Sequence, residues 1–199
     1  MKFIVGIDEV GRGPIAGPVA VGAFVILNND ILNDFVGVKE SKQLSAKKRE
    51  IWFEKIQNFK KDNKLNFSVN FQSEKVIDSM GISYAIRTAL SECLNELNLQ
   101  TDMVEVLLDG GLKAPASYIN QKTIIKGDEK EIVIALASIC AKVMRDRLMI
   151  DLSNKYNKYG FEKHMGYGTK AHYKAIEQYG ITPVHRTSFL SKILQKKHK

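Results

Sequence analysis

Apolar positions along the chain recur with two periods, and the two periods separate strands from helices. Short apolar runs bounded by Gly, Asn or Asp read as strands, while longer stretches with apolar residues three and four apart read as helices. Phe3-Ile4-Val5-Gly6-Ile7 predicts a first strand with Asp8 and Glu9 at its C-terminal end, and residues 19–27 predict a second strand paired with it, followed by an Asn28-Asn29-Asp30 turn. Residues 45–61 predict a helix with Ser45 as N-cap and Trp52, Phe53, Ile56 and Phe59 on one face. Residues 67–71 alternate as a strand, and residues 73–97 read as helical with a break near Gly81. Residues 104–108 predict a buried strand ending at Asp109-Gly110-Gly111, and residues 123–125 a short one before Lys126-Gly127-Asp128. The longest helical pattern is 131–156, with Ile132, Leu136, Ile139, Val143 and Ile150 close to one stripe that Asp146 interrupts. A helix over 169–179 precedes Gly180, Pro183 and a basic end with Lys192, Lys196, Lys197 and Lys199. Neither a repeat nor a linker is visible, so residues 1–199 are expected to form a single mixed α/β domain with a basic C-terminal extension at about 181–199.

The first strand carries the most informative chemistry. Two adjacent carboxylates where an apolar strand ends are either costly charges or metal ligands. Consecutive strand side chains face opposite ways, so only one of Asp8 and Glu9 naturally faces a given site. The loop that follows, Val10-Gly11-Arg12-Gly13-Pro14-Ile15-Ala16-Gly17-Pro18, combines glycines with one Arg. Backbone N–H groups and a guanidinium can there approach a phosphate or sugar closely. Asp109 and Asp128 also stand at junctions leaving strands, although Asp-Gly and Gly-Asp are in themselves common turn dipeptides. No Gly-Lys-Ser/Thr closes the loop as in a Walker phosphate loop, and Gly11, Gly13 and Gly17 lack the spacing of a dinucleotide fingerprint.

Composition narrows the partner class without choosing it. The 199 residues carry a formal net charge of +8, which favours an anionic partner such as nucleic acid, though an acidic membrane would attract the same charge. The apolar start reaches Asp8 too soon for a leader peptide, no run is long enough to span a bilayer, and a cytoplasmic protein is expected. Cys93 and Cys140 sit in apolar helical patterns and are read as core packing. His164, His172, His185 and His198 lack the spacing of a helical zinc pair. Only the last few residues suggest disorder.

The segment Gly6-Ile7-Asp8-Glu9-Val10-Gly11-Arg12-Gly13-Pro14 resembles the signature of type 2 ribonuclease H, ribonuclease HII, and differs from the type 3 signature, which has Thr in place of Arg12. Further segments resemble the same family: Lys39-Glu40-Ser41-Lys42-Gln43-Leu44-Ser45, residues 137–147, His164-Met165-Gly166-Tyr167-Gly168-Thr169-Lys170, and Pro183-Val184-His185-Arg186-Thr187-Ser188-Phe189. The resemblance runs from residue 6 to about residue 189 and implies a ribonuclease H-like fold, a mixed central sheet flanked by helices. It also implies that the family's Asp-Glu-Asp-Asp metal set, its catalytic residues, falls on Asp8, Glu9, Asp109 and Asp128. Substrate contacts fall on Gly11, Arg12, Gly13 and Tyr167, which in the family jointly read a ribonucleotide followed by a deoxyribonucleotide, and on Lys42 as a phosphate contact.

The expected activity is metal-dependent cleavage of RNA in RNA/DNA hybrids and of single ribonucleotides embedded in duplex DNA, 5′ to the ribonucleotide. It leaves a 3′-hydroxyl and a 5′-phosphate, and serves ribonucleotide excision repair or removal of replication primers. Mg²⁺ or Mn²⁺, two ions in the catalytic complex, is the expected cofactor, since hard cations take oxygen ligands and a pair ~3.5–4 Å apart needs several acids. Which acid bridges the ions is open. Asp146, alone on an apolar stripe, is read as paired with Arg145, Arg147 or a lysine and stays outside the ligand set. A monomer is expected, and no motif assigns a sliding-clamp contact; Phe189-Leu190 could equally meet a partner or close the core. The chain departs from the family at Gly111, where Asn is common, and at Ser83-Tyr84. The alternatives are another two-metal nuclease of this fold and a non-catalytic basic nucleic-acid-binding module.

Overall fold

A computed structural model of the chain describes residues 2–194, with side chains described as far as Ser191. Five strands form one sheet in the order β3-β2-β1-β4-β5: β1 (Phe3–Val10), β2 (Val19–Ile26), β3 (Leu65–Gln72), β4 (Val104–Asp109) and β5 (Gln121–Ile124). The three strands β1 to β3 pair antiparallel, while β4 runs parallel to β1 and β5 parallel to β4. The predicted first strand continues through Asp8 and Glu9 to Val10, so both acids lie within it, opposite Gly22 and Val21 of β2. The pairing with β4 ends at Ile7, and it is the adjacent β2, buried along its whole length and paired as far as Val10, that carries the strand past its acids.

Helices cover both faces. The expected break near Gly81 divides α2 (Glu74–Met80) from α3 (Ile82–Leu97), whose buried Ala85, Leu90, Cys93 and Leu94 pack on Val5, Ile7, Val21 and Val106. The other face takes α1 (Ala46–Lys61), capped by Ser45 as its sequence predicts, and α5 (Ile132–Lys155). The stripe expected on α5 is not what forms. From Val133 to Ala141 the helix is buried all round, whereas Ile150 is 44% exposed. The cause is close approach: a Cβ on Gly6 would stand 2.2 Å from the Val133 carbonyl carbon, and one on Gly22 2.5 Å from the Ala137 oxygen. The helix therefore lies directly on the sheet backbone, and its flanks are covered by neighbours.

The short helix α4 (Gly127–Lys130) follows β5, and α6 (Phe161–His164), α7 (Lys170–Tyr179) and α8 (Thr187–Leu194) build a third cluster around Phe161, Met149, Ile176 and Leu190. Leu190, 1% exposed, closes this cluster, whereas Phe189 is 36% exposed. Asp78 of α2 supplies the N-terminal cap of α8 from outside it, accepting from the N–H and hydroxyl of both Thr187 and Ser188. Burial alone would raise the Asp78 pKa, but these hydrogen bonds hold it below the usual value. His198 and the lysines beyond 194, like the expected terminal disorder, fall outside the described residues.

Candidate active site

The parallel pairing of β1 and β4 sets Ile7 beside Leu108, and one step further along the register comes Asp8 beside Asp109. Side chains at equal register in parallel strands share a face, so both point with Gly6 and Leu107 toward α5. Asp109 is the last residue of β4, and its Oδ1 accepts the Gly127 N–H at 2.7 Å. That bond fastens the start of α4 to the sheet and brings Asp128 of its first turn to the same rim. Three acids separated widely in sequence thus meet because one strand pair and one side chain–backbone bond join their elements.

Asp8 is 5% exposed and Asp128 6%. Burial pushes the Asp8 pKa up to about 7; a Ser138 hydrogen bond opposes the shift, and Glu9, Asp109 and Asp128 add to it. Asp128 is raised by burial and then by Asp109 and Glu40, with Lys42 opposing. Glu9 is raised by burial and partly restored by Arg12, whose Nη1 lies 3.5 Å from its Oε1. Four acids therefore share one field with too little positive charge beside them, which is what an oxygen-liganded cation relieves. Among the described residues no three His, Cys, Asp or Glu side chains already close on one point as a metal cluster. Hard cations do not require a closed protein cage, since Mg²⁺ keeps waters and substrate oxygens beside one or two carboxylates. Donor chemistry and charge both fit.

Lys42 reaches this rim, with Nζ 3.2 Å from Glu40 and 3.9 Å from Asp128. Asp146 does not. It pairs with Lys142 at 2.6 Å and Arg49 at 3.5 Å, not with the arginines beside it in sequence: Arg147 holds Glu50 and Arg145 turns into the core. Sequence reading missed Glu40 as part of the electrostatic surroundings and Ser138 as the hydroxyl beside Asp8, itself bonded to Ser41 at 2.8 Å. A Ser on a helix face gives no signal until α5 is laid against β1.

The glycine loop and Tyr167 also come together. Tyr167 is 46% exposed, and a Cβ on Gly13 would stand 3.8 Å from its ring. Ile15 N–H donates to Gly166 O at 2.9 Å, tying the loop to the turn that carries Tyr167. Two buried histidines hold that turn from behind. Thr182 N–H donates to His185 Nδ1, so His185 Nε2–H donates to His172 Nε2 at 3.1 Å and His172 Nδ1–H to Tyr167 O at 2.9 Å. Burial lowers both pKa values to about 4 and keeps both rings neutral. The two departures from the family pattern meet nearby, where Ser83 and Gly111 line a cleft of about 190 Å³ with Arg12, Arg87 and Lys113.

Comparison with known proteins bears on the fold and the family. Residues 5–192 match the family profile described as Ribonuclease HII. The chain is 45% identical over 193 residues to Ribonuclease HII of Caldicellulosiruptor bescii, covering 97% of this chain and 89% of that protein. The ribonuclease H2 structure from Pyrococcus horikoshii OT3 superposes with a TM-score of 0.76 at 28% identity, over 99% of each chain. The ribonuclease HII of the PCNA:RNase HII complex from Archaeoglobus fulgidus superposes with a TM-score of 0.73 at 27% identity, over 92% of this chain and 93% of that one. With a profile match across nearly the whole sequence and close relatives of matching length, the chain belongs to the ribonuclease HII family.

Proposed function

We propose that Asp8, Glu9, Asp109 and Asp128 hold divalent cations for phosphodiester hydrolysis, and that Gly11, Arg12, Gly13, Lys42 and Tyr167 seat the duplex beside them. As a ribonuclease HII the protein is a divalent-metal-dependent endoribonuclease of RNA/DNA hybrids. The finer reading is cleavage 5′ to a ribonucleotide, including one embedded in DNA, leaving a 3′-hydroxyl and a 5′-phosphate. The observation that carries it is the meeting of Asp8, Asp109 and Asp128 at one rim, with Glu9 held to Arg12 of the glycine loop. Ionised carboxylates gathered there repel a phosphodiester unless a cation intervenes, so a purely binding module is a poor fit.

Bound Mg²⁺ or Mn²⁺, two ions in this reading, would activate the attacking water and stabilise the leaving 3′-oxygen. The protein's own residues do the rest. Asp109 is fixed at the rim by the Gly127 N–H that its Oδ1 accepts. Ser138 keeps the Asp8 pKa below the value that burial alone would give. Lys42, with its side chain 78% exposed, extends a cation toward a substrate phosphate. Arg12, Arg87 and Lys113 offer further phosphate contacts along the cleft. Residues 1–199 act in this reading as one catalytic domain working as a monomer.

The test is a duplex with one embedded ribonucleotide, incubated with Mg²⁺, with Mn²⁺ and with EDTA. A nick 5′ to the ribonucleotide in either metal and none in EDTA is expected. Cleavage at another position, or an inert folded protein in both metals, overturns the reading.

A further inference from the structure

Beneath the glycine loop lie two arginines that the hydrolytic reading does not use. Arg145 and Arg186 are each 0% exposed, and among the described residues neither makes an ion pair. Their hydrogen-bond partners are backbone carbonyls, and the Arg186 guanidinium also lies over the Phe189 ring, 5.3 Å from its centroid. Arg186 donates Nε to Gly17 O at 2.9 Å, Nη1 to Arg12 O at 3.0 Å and Nη2 to Gly11 O at 2.7 Å. Arg145 donates Nε to Pro18 O at 2.9 Å and Nη1 to Met165 O at 3.1 Å, which links the end of the loop to the Tyr167 turn. Burying a guanidinium without a carboxylate is costly, and a fold that needed only packing would place an apolar side chain there.

The direction of these bonds shows what the arrangement achieves. In a trans peptide the C=O and the following N–H point opposite ways. With the Gly11 and Arg12 carbonyls drawn inward onto Arg186, the N–H groups of Arg12 and Gly13 point away from the core. Among the described residues neither N–H has an acceptor. A planar fork can hold three carbonyls at fixed spacing, which a point-charge ammonium cannot. The residue itself is anchored: its N–H donates to Ile15 O at 2.8 Å, and the next two residues are capped by Asp78.

We infer that Arg186 is the positioning residue for junction recognition, turning the Arg12 and Gly13 N–H groups toward the ribose and setting the loop's distance from Tyr167. The inference rests on the reading of Gly11-Arg12-Gly13 and Tyr167 as the junction reader. Arg186 touches no substrate. It acts by making two donors available at one fixed place, where a 2′-hydroxyl can accept from them and a 2′-deoxy sugar cannot.

The experiment compares kcat/KM on a single-ribonucleotide duplex with kcat/KM on a continuous hybrid, for the wild type, Arg186→Lys and Tyr167→Ala. Arg186→Lys should lower the ratio about fivefold, the scale of one lost hydrogen bond, with the Mg²⁺ dependence unchanged. Equal losses on both substrates would mean a merely structural role and overturn the inference. An unchanged ratio in Tyr167→Ala would instead sink the junction-reader assignment of Tyr167. Amide hydrogen exchange on the wild-type protein decides the matter even where Arg186→Lys fails to fold. The Arg12 and Gly13 amides should exchange fast in the free protein and slow when the embedded-ribonucleotide duplex binds in EDTA. Protection already present without the duplex, or equal slowing by all-DNA duplex, overturns the proposal.

Discussion

Asp8 and Arg186 are both buried charged side chains within one stretch of structure, and their surroundings are opposites. Asp8 sits among acids, with Glu9, Asp109 and Asp128 all raising its pKa. Arg186 sits among carbonyls with Arg145 as its like-charged neighbour, and burial, then Arg145, lowers its pKa to about 9. At neutral pH the acid can take up a proton or share a cation, whereas the guanidinium, its pKa still above neutral, stays charged. The carboxylate rim is therefore adjustable by pH, and the arginine-held loop is fixed by the fold. Chemistry that begins and ends with each substrate suits the first arrangement; recognition that must be ready beforehand suits the second.

The largest expected effect lies at the rim. Asp109→Asn should lower cleavage by about a thousandfold or more, several kcal/mol of transition-state stabilisation, while its thermal midpoint stays near that of the wild type because acid repulsion is relieved. Near-wild-type turnover by the folded variant would remove Asp109 from the site. A smaller loss, of the opposite kind, is expected beneath the loop. Gly11 has φ +88°, and a Cβ there would stand 2.1 Å from Arg145 Nε. Gly11→Ala should cost about 1–3 kcal/mol of stability, read by denaturant unfolding. An undisturbed midpoint would show that the loop is not held as tightly as its hydrogen bonds indicate.

The two regions should also answer pH with opposite signs when metal is absent. Asp8 is raised in the folded state, so its contribution is fully present below its unfolded value of 3.8 and is lost as pH rises through about 7. His172 and His185 are lowered to about 4, so the unfolded chain binds more protons and stability falls as pH drops from 6.5 toward 4. The first of those protons costs up to about 3 kcal/mol. Asp8→Asn should therefore steepen the acid-side fall in thermal midpoint, and Mg²⁺ should raise the wild-type midpoint more at pH 8 than at pH 5. Identical melting profiles for wild type and variant would contradict the assigned shifts. The smallest effect belongs to Lys42, exposed at the rim. Lys42→Ala should reduce the slope of log Kd against log salt by about 1, and an unchanged slope would remove it from the phosphate contacts.

The order of elements was legible in the sequence because periodicity is local. Ser45 caps where its position suggests, and the helix break falls at Gly81. The β1 end was placed too early because a strand is sustained by its neighbours, and the pairing of Asp8 with Gly22 cannot be read from β1 alone. The all-round burial of the first half of α5 was hidden for the same reason, since Gly6 and Gly22 matter only once the helix lies on them.

Composition and motif order determined that the chain carries four acids following apolar runs, a glycine loop with one Arg, and a tyrosine far along the sequence. Residue types survive any arrangement, so these facts needed no coordinates. Tertiary structure alone decided that Asp109 would fasten Gly127, that Asp146 would be neutralised by Lys142 and Arg49, and that Arg186 would end beneath Gly11 and Arg12. Charge compensation depends on distances of a few ångströms between residues up to 175 positions apart, and sequence spacing carries no information about such distances until the sheet and its helices have closed.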